Sequence, residues 1–185
     1  MNVYDWDGTI YKGDSTAGLI GYAYVHRPLT LLSLPRTLFF GLLYGLGIVE
    51  KVTFKQNLYH MFVFIHDMEE FTDRYVDSHL DHVKQWYKEQ QEKEDVVISA
   101  SPFFLISRFG KRLGIQHVLA SDVDMHTGIY QGVNCHGAEK VRRFKEVFPD
   151  TPITAFYSDS RSDTPLAMLA EKAYLVKGEE RMPWS

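Results

Sequence analysis

Two aspartates, Asp5 and Asp7, flank Trp6 in the run Asp5-Trp6-Asp7-Gly8-Thr9, directly after the apolar Val3 and Tyr4. Carboxylates one residue apart at the end of a strand can divide labour, one attacking as a nucleophile while the other carries a proton. The same pair can hold a hard divalent cation through oxygen. Ser99, Lys140, Asp159 and Asp163 follow downstream in that order. Phosphoryl transfer needs an in-line nucleophile, a proton donor for the leaving oxygen and positive charge around the equatorial oxygens. In that scheme Asp5 attacks phosphorus, and Asp7 protonates the leaving alcohol and later activates water. Ser99 donates its hydroxyl, and Lys140 supplies fixed charge. Asp5, Asp159 and the backbone carbonyl of Asp7 make the oxygen set that Mg²⁺ prefers. Asp163 is expected to support that set by holding a metal-bound water or by orienting Lys140. Gly8 and Thr9 are expected to turn the backbone and to offer N–H groups to the phosphate.

Each residue alone has an ordinary reading. The first acids could be solvated turn residues, Ser99 a hydroxyl bonded to backbone and Lys140 a surface lysine. Asp159 and Asp163 could cap the helix that has Pro165 in its first turn. Placement decides between the readings. The apolar runs at Val3 to Trp6, Val96-Val97-Ile98 and Ile153 to Tyr157 read as strands, and Asp5, Ser99 and Asp159 sit at or just past their carboxyl ends. In an open parallel sheet those ends form the ligand crevice, so residues far apart in the chain converge there.

The elements between them alternate as an α/β sheet requires. Asp14, Ser15 or Thr16 caps a helix running to about His26, stopped by Pro28. Apolar spacing is compatible with a helix over 50–65. Phe71, Tyr75, Val76, Leu80, Val83 and Tyr87 mark an amphipathic one over 69–93. Further helices are expected at 103–113, 138–147 and 165–172, with strands at 117–120 and 174–176 and a hairpin-like piece at 128–132. The fold class is therefore α/β, a Rossmann-like parallel sheet with an inserted helical cap. Residues 1–14 and 79–185 would form the core and residues 15–78 the cap.

Composition narrows the function classes. The 185 residues are 45% hydrophobic and 14% aromatic, ample for a packed core. A net charge of -4 with no long basic run argues against nucleic acid. A lone Cys135 excludes an internal disulfide, and the position of Asp5 leaves no room for a signal peptide, so a cytoplasmic enzyme is expected. Leu29 to Val49 approaches the ~20 apolar residues of a membrane span but is interrupted by Pro35, Arg36 and three glycines. Buried helices of a lid are the plain reading, and peripheral contact with a membrane the alternative. His79 and His82 lack a completing ligand set for zinc. Cys135 and the cap aromatics read as packing residues.

With these residues in hand, DWDGT, VVISAS, GAEKV and YSDSRSD resemble the four motifs of the haloacid dehalogenase superfamily, over essentially the whole chain. The helical insertion after the first motif is similar to that of the phosphoserine-phosphatase-like subfamily IB. The resemblance implies a Mg²⁺ cofactor and a covalent aspartyl-phosphate. It makes Asp5 the nucleophile and Asp7 the acid/base, gives the phosphoryl group to Ser99 and Lys140, and makes Asp159 a metal ligand supported by Asp163. Asp14 falls where phosphoserine phosphatases keep an acid for the substrate amine. Their arginine after the F-x-Q-x-L stretch is absent beyond Phe54-Lys55-Gln56-Asn57-Leu58, which leaves a serine carboxylate without its partner. Asn134-Cys135-His136-Gly137 and the apolar cap resemble the bacterial branch that includes phosphatidylglycerophosphate phosphatases. The substrate expected is a small phosphorylated molecule. A lipid-linked phosphate at the membrane surface, or a phosphotransferase reaction, stays open.

Overall fold

Three residues, Asn2–Tyr4, build the central strand β1, which hydrogen-bonds parallel partners on both sides. A computed structural model describes residues 1–184. After β1 come helices α1 (Ser15–His26), α2 (Leu34–Gly45), α3 (Lys51–Tyr59), α4 (Met68–Asp77) and α5 (Gln85–Gln90). The chain then alternates: β2 (Val96–Pro102), α6 (Phe103–Leu113), β3 (His117–Ser121), α7 (Ala138–Val147), β4 (Ile153–Ser158), α8 (Thr164–Ala167), β5 (Ala170–Lys177) and β6 (Glu180–Pro183). The sheet order is β3-β2-β1-β4-β5-β6, with only β6 antiparallel. This is the Rossmann-like α/β fold expected from the alternation.

Side-chain alternation in the strands explains why helices cover both faces. Val3, Val96, Ile98 and Phe156 pack with Phe144 of α7 and Leu166 of α8 in one buried cluster. Tyr4 and Val97 face the other way, onto Leu105, Ile106 and Phe109 of α6. That second cluster continues without a break into Leu19, Phe71 and Tyr75 of the helical segment. Arg112 of α6 is 2.8 Å from Asp73 and 2.9 Å from Asp77 of α4, which fastens the two helices.

Several expected elements differ. The 69–93 helix is interrupted between α4 and α5, where Val83 bridges Tyr11 and the Lys84 N–H bonds the Ile10 carbonyl at 2.8 Å. The apolar spacing marked a continuous buried face, and pairing with the β1–α1 loop broke the helix along it. The 50–65 helix tightens to a 3₁₀ turn over His60–Phe64. The 165–172 helix ends at Ala167, because Ala170 already joins β5 beside Ile153. The piece at 128–132 carries one bridge, Val123 to Tyr130, rather than a hairpin ladder.

The apolar segment 29–49 departs furthest from its plain reading. It is helical, yet α2 has no buried residue. No helix among the described residues is long and apolar enough to cross a membrane.

Candidate active site

The chain leaves β1 toward β2 on one side and returns to β4 on the other, so the crevice opens where the strand order reverses. Asp5 follows Tyr4, whose register partner in β4 is Tyr157, and the Asp5 N–H donates to the Tyr157 carbonyl at 2.9 Å. Asp159 lies two residues further along, past the end of β4. Trp6, fully buried, turns into the core against Tyr11 and Phe109, with ring centroids 5.5 and 5.2 Å away. Alternation about that anchored indole puts Asp5 and Asp7 together on the crevice side.

Lys140 links the acids. Its Nζ donates to Asp5 Oδ1 and to Asp163 Oδ2, both at 2.7 Å, with 3% of the side chain exposed. Burial alone would lower this ammonium's pKa, but Asp5 and Asp163 outweigh it and hold the pKa above its ordinary value. Burial raises the Asp5 pKa, with Lys140 opposing. The other Asp5 oxygen, Oδ2, accepts from the Thr9 hydroxyl at 3.2 Å, and that hydroxyl accepts the Asp159 N–H at 2.9 Å. One threonine thus ties the ends of β1 and β4.

Asp7 is held by two donors: the Ser15 N–H at 2.6 Å and the Ser101 hydroxyl at 2.5 Å. Burial, then Asp14, pushes its carboxyl up to about 6, against the pull of those bonds. Ser99 is buried, and its Oγ accepts the Ser101 N–H at 3.1 Å, leaving its own O–H free to donate inward. A register shift between Ser99 and Pro102 bends β2 and brings both hydroxyls to the crevice. Asp163 is fixed by Lys140 and by the Ser158 hydroxyl at 2.8 Å, and its Oδ1 is buried with no partner among the described residues. Asp14 caps α1, its Oδ1 accepting the Ala17 N–H at 2.8 Å, and also lines the crevice.

The expected donation from Gly8 and Thr9 needs correcting. The Gly8 N–H bonds the Gly13 carbonyl at 2.9 Å and the Thr9 N–H the Trp6 carbonyl at 3.2 Å, so both amides close the loop itself. Gly8 serves by having no side chain: at φ +72°, an added Cβ would lie 2.2 Å from Asp159 Oδ2. Lys84 holds this loop through the Gly8 carbonyl at 2.8 Å.

A metal site fits these residues through its donor chemistry. Among the described residues no three His, Cys, Asp or Glu side chains form a group able to hold an ion alone. The Asp7 carboxylate is turned to Ser15 and Ser101, and its backbone carbonyl is the oxygen it would give. Asp5 and Asp159 remain as carboxylates. Asp159 lies at an exposed loop, but its carboxyl packs against Gly8. Desolvation there, then Asp5 and Asp163, pushes it up to about 6. Five aspartates line the crevice against three lysines, a surplus of negative charge that a hard cation would neutralise.

The crevice, about 310 Å³, takes in residues that the sequence reading did not single out: Lys51 and Lys55 of α3, Ser101 and His136. Ser101 had a signal, since it stands two positions beyond Ser99 and alternation returns it to the same face. Lys51 and Lys55 are four apart on one helix, a like-charged pair that is unfavourable without an anion nearby. Burial, then Lys51, lowers the Lys55 pKa. Beside the crevice, sharing Asp14, Lys51, Lys55 and Ser101 with it, lies an apolar chamber of about 200 Å³ walled by Ile20, Tyr44, Phe54 and Leu58.

Comparison with known proteins bears on the family and the fold. The model of haloacid dehalogenase-like hydrolases matches residues 3–168, and the chain belongs to that family. Its α/β architecture is the scaffold of that family. Among curated relatives, protein CicA of Caulobacter vibrioides is 36% identical over 88 residues, 44% of this chain and 40% of CicA. The matched region therefore spans less than half of that relative. A protein of unknown function from Bordetella pertussis Tohama I superimposes with a TM-score of 0.76 at 15% identity, covering 95% of this chain and 88% of that one. A phosphoserine phosphohydrolase-like protein from Francisella tularensis gives 0.56 at 16% identity, covering 95% and 87%.

Proposed function

We propose that this hydrolase is a Mg²⁺-dependent phosphomonoesterase that works through a covalent aspartyl-phosphate on Asp5. The observation that carries the reading is the Lys140 ammonium joining Asp5 to Asp163 beside Asp159, at the switch point of the sheet. In this reading the chain is of the phosphoserine-phosphatase-like subfamily IB, the one its helical insertion resembles. Residues 15–78 act as the cap and residues 1–14 and 79–185 as the catalytic core.

Asp5 is oriented by Lys140 at one oxygen and Thr9 at the other, which fixes the carboxylate for in-line attack. A new bond forms from its oxygen to phosphorus as the ester P–O bond breaks, and Asp7 gives its proton to the departing alkoxide. Water then attacks the same phosphorus, Asp7 takes the water's proton, and the bond to Asp5 breaks to release phosphate. A carboxyl near pH 6 is suited to both transfers. Lys140 and the Ser99 hydroxyl hold phosphoryl oxygens. Asp5, Asp159 and the Asp7 carbonyl would hold Mg²⁺, with Asp163 in support, and the ion would supply charge neutralisation at the phosphoryl group.

For the substrate, the apolar chamber next to Lys51 and Lys55 favours a phosphomonoester with an apolar, lipid-like organic part over phosphoserine. Asp14 at their junction would face any polar group near the ester. The buried lone Cys135, its thiol pushed up to about 11 by burial, suits a reducing cytoplasm.

Hydrolysis of p-nitrophenyl phosphate tests the reaction. Turnover should require Mg²⁺ and fall at least about a thousandfold in Asp5→Asn. Undiminished turnover in that variant refutes the mechanism, and transfer of phosphate to an added alcohol in preference to water replaces hydrolysis by phosphotransfer.

A further inference from the structure

We propose that α2 and the turn before it form a docking surface for an anionic lipid bilayer, on the face of α2 opposite the apolar chamber. The docking goes beyond the hydrolase reading and is measured without turnover; only its purpose rests on that reading.

Burial in this segment is inverted. In the 3₁₀ turn Pro28–Ser33 the buried residues are Thr30 and Ser33, whose hydroxyls bond the Arg27 and Thr30 carbonyls at 2.7 Å. Leu29 and Leu32 face outward, 60% and 66% exposed. The stripe continues on α2 through Leu38, Leu42 and Leu46, 70%, 62% and 63% exposed, four residues apart on one helix face. The polar Arg36 instead turns to α3, its Nε donating to Asn57 Oδ1 at 2.7 Å. An amphipathic element facing water would have the opposite arrangement.

Length and charge identify the occupant. Twelve residues of α2 extend roughly 18 Å, short of the ~30 Å hydrocarbon layer, so the helix lies on a bilayer and does not cross it. Residues 15–49 contain no Asp or Glu, although the chain as a whole is at -4. Their fixed charges are Arg27, paired with Asp67 at 2.5 Å, and Arg36, and Lys51 and Lys55 follow on α3 after Glu50. Four cations against two acids leave the apolar patch net positive, which complements anionic headgroups. Self-association through the stripe gains no charge pair, since residues 15–49 carry no carboxylate to meet a cation of a second copy.

The helix that carries the patch also walls the chamber. Tyr44 of α2 stacks on Phe54 of α3, centroids 5.3 Å apart and planes within 5°, and both rings wall the chamber that opens onto the crevice at Lys55 and Ser101. Tyr44 stands on the face of α2 opposite the leucines, so docking would set the chamber directly behind the helix that meets the lipid.

Vesicle sedimentation tests this with the full chain. Phosphatidylcholine vesicles are compared with vesicles also containing phosphatidylglycerol, for the unaltered chain and for Leu38→Asp/Leu42→Asp. Both leucines are exposed, so the variant should keep its melting temperature and its turnover of soluble p-nitrophenyl phosphate. Binding to phosphatidylglycerol vesicles is expected in the unaltered chain and should drop by about tenfold or more in the variant. Three results each overturn the proposal: no binding to anionic vesicles, equal binding to both vesicle types, or a dimer in solution that the variant dissociates. None of these alters aryl phosphate turnover, which keeps a failure here distinct from a failure of the hydrolase reading.

Discussion

Lys140 Nζ stands 2.7 Å from Asp5 Oδ1, and the same ammonium holds Asp163 at an equal distance with almost no solvent access. Removing it leaves two buried carboxylates facing each other, so Lys140→Met should destabilise the fold by about 3 kcal/mol, roughly 10 °C in Tm. Turnover should fall below detection. Lys140→Arg restores the charge and should recover part of the Tm. Thermal melts of the three proteins decide it, and an unchanged Tm in Lys140→Met would show that the ion pair contributes nothing to the fold.

Metal binding and pH should be coupled through Asp159 and Asp7, both pushed up to about 6. A carboxyl raised in the folded state binds more protons there than in the unfolded chain, between the ordinary carboxylate range near 4 and about 6. Metal-free stability therefore falls as pH rises through that window. At pH 5 protons already relieve the repulsion, whereas at pH 7.5 only a cation can. Saturating Mg²⁺ should raise Tm by roughly 5–10 °C at pH 7.5 and by clearly less at pH 5. Equal gains at the two pH values would contradict the coupling.

Gly8 is constrained twice, by φ +72° and by Asp159 Oδ2 lying 2.2 Å from where a Cβ would stand. Gly13 has φ +83° in the same loop with nothing within 4 Å, so Gly13→Ala isolates the backbone strain, about 1–2 kcal/mol. Gly8→Ala adds displacement of Asp159. Its apparent affinity for Mg²⁺ should weaken about tenfold or more, while Gly13→Ala keeps near-normal affinity at somewhat lower Tm. Mg²⁺ titrations of activity separate the two; matching affinities would mean that the clash is absorbed elsewhere.

The residues readable in advance share one property: local sequence sets them. Asp5, Ser99 and Asp159 were found because a short apolar strand announces its own carboxyl end, and a parallel sheet gathers those ends. Where tertiary pairing intervened, sequence spacing was blind to it. Val83 kept the helical period of Phe71 and Tyr75 and is buried as they are, yet it pairs with Tyr11 and breaks the helix. Ala170 to Lys172 read as helix because nothing local reveals the waiting edge of β4. Gly8 and Thr9 were recognised as a turn, but which carbonyl each amide would meet depends on the closed loop. The apolar run at 29–49 disclosed its hydrophobicity and not its exposure, since composition does not say which neighbours a helix will find. Lys51 and Lys55 belong to the crevice only because α3 folds over β2.

Asp7 offers the sharpest separation of chemical steps. It gives a proton to the leaving alkoxide first and takes one from water second, and Ser101 and Ser15 fix it for both. p-Nitrophenolate leaves readily without a proton, whereas an alkoxide does not. In Asp7→Asn the first step should survive with p-nitrophenyl phosphate, and the second should slow by about 10²–10⁴. Stopped-flow absorbance should then record a stoichiometric burst of nitrophenolate followed by slow turnover, with phosphate retained on Asp5. An alkyl phosphate should give no burst, because its departure needs the missing acid. Ser101→Ala, which loosens Asp7 without removing it, should lower the steady rate with both substrates and produce a smaller burst. Loss of the burst together with turnover on the aryl ester would assign Asp7 to binding instead of proton transfer.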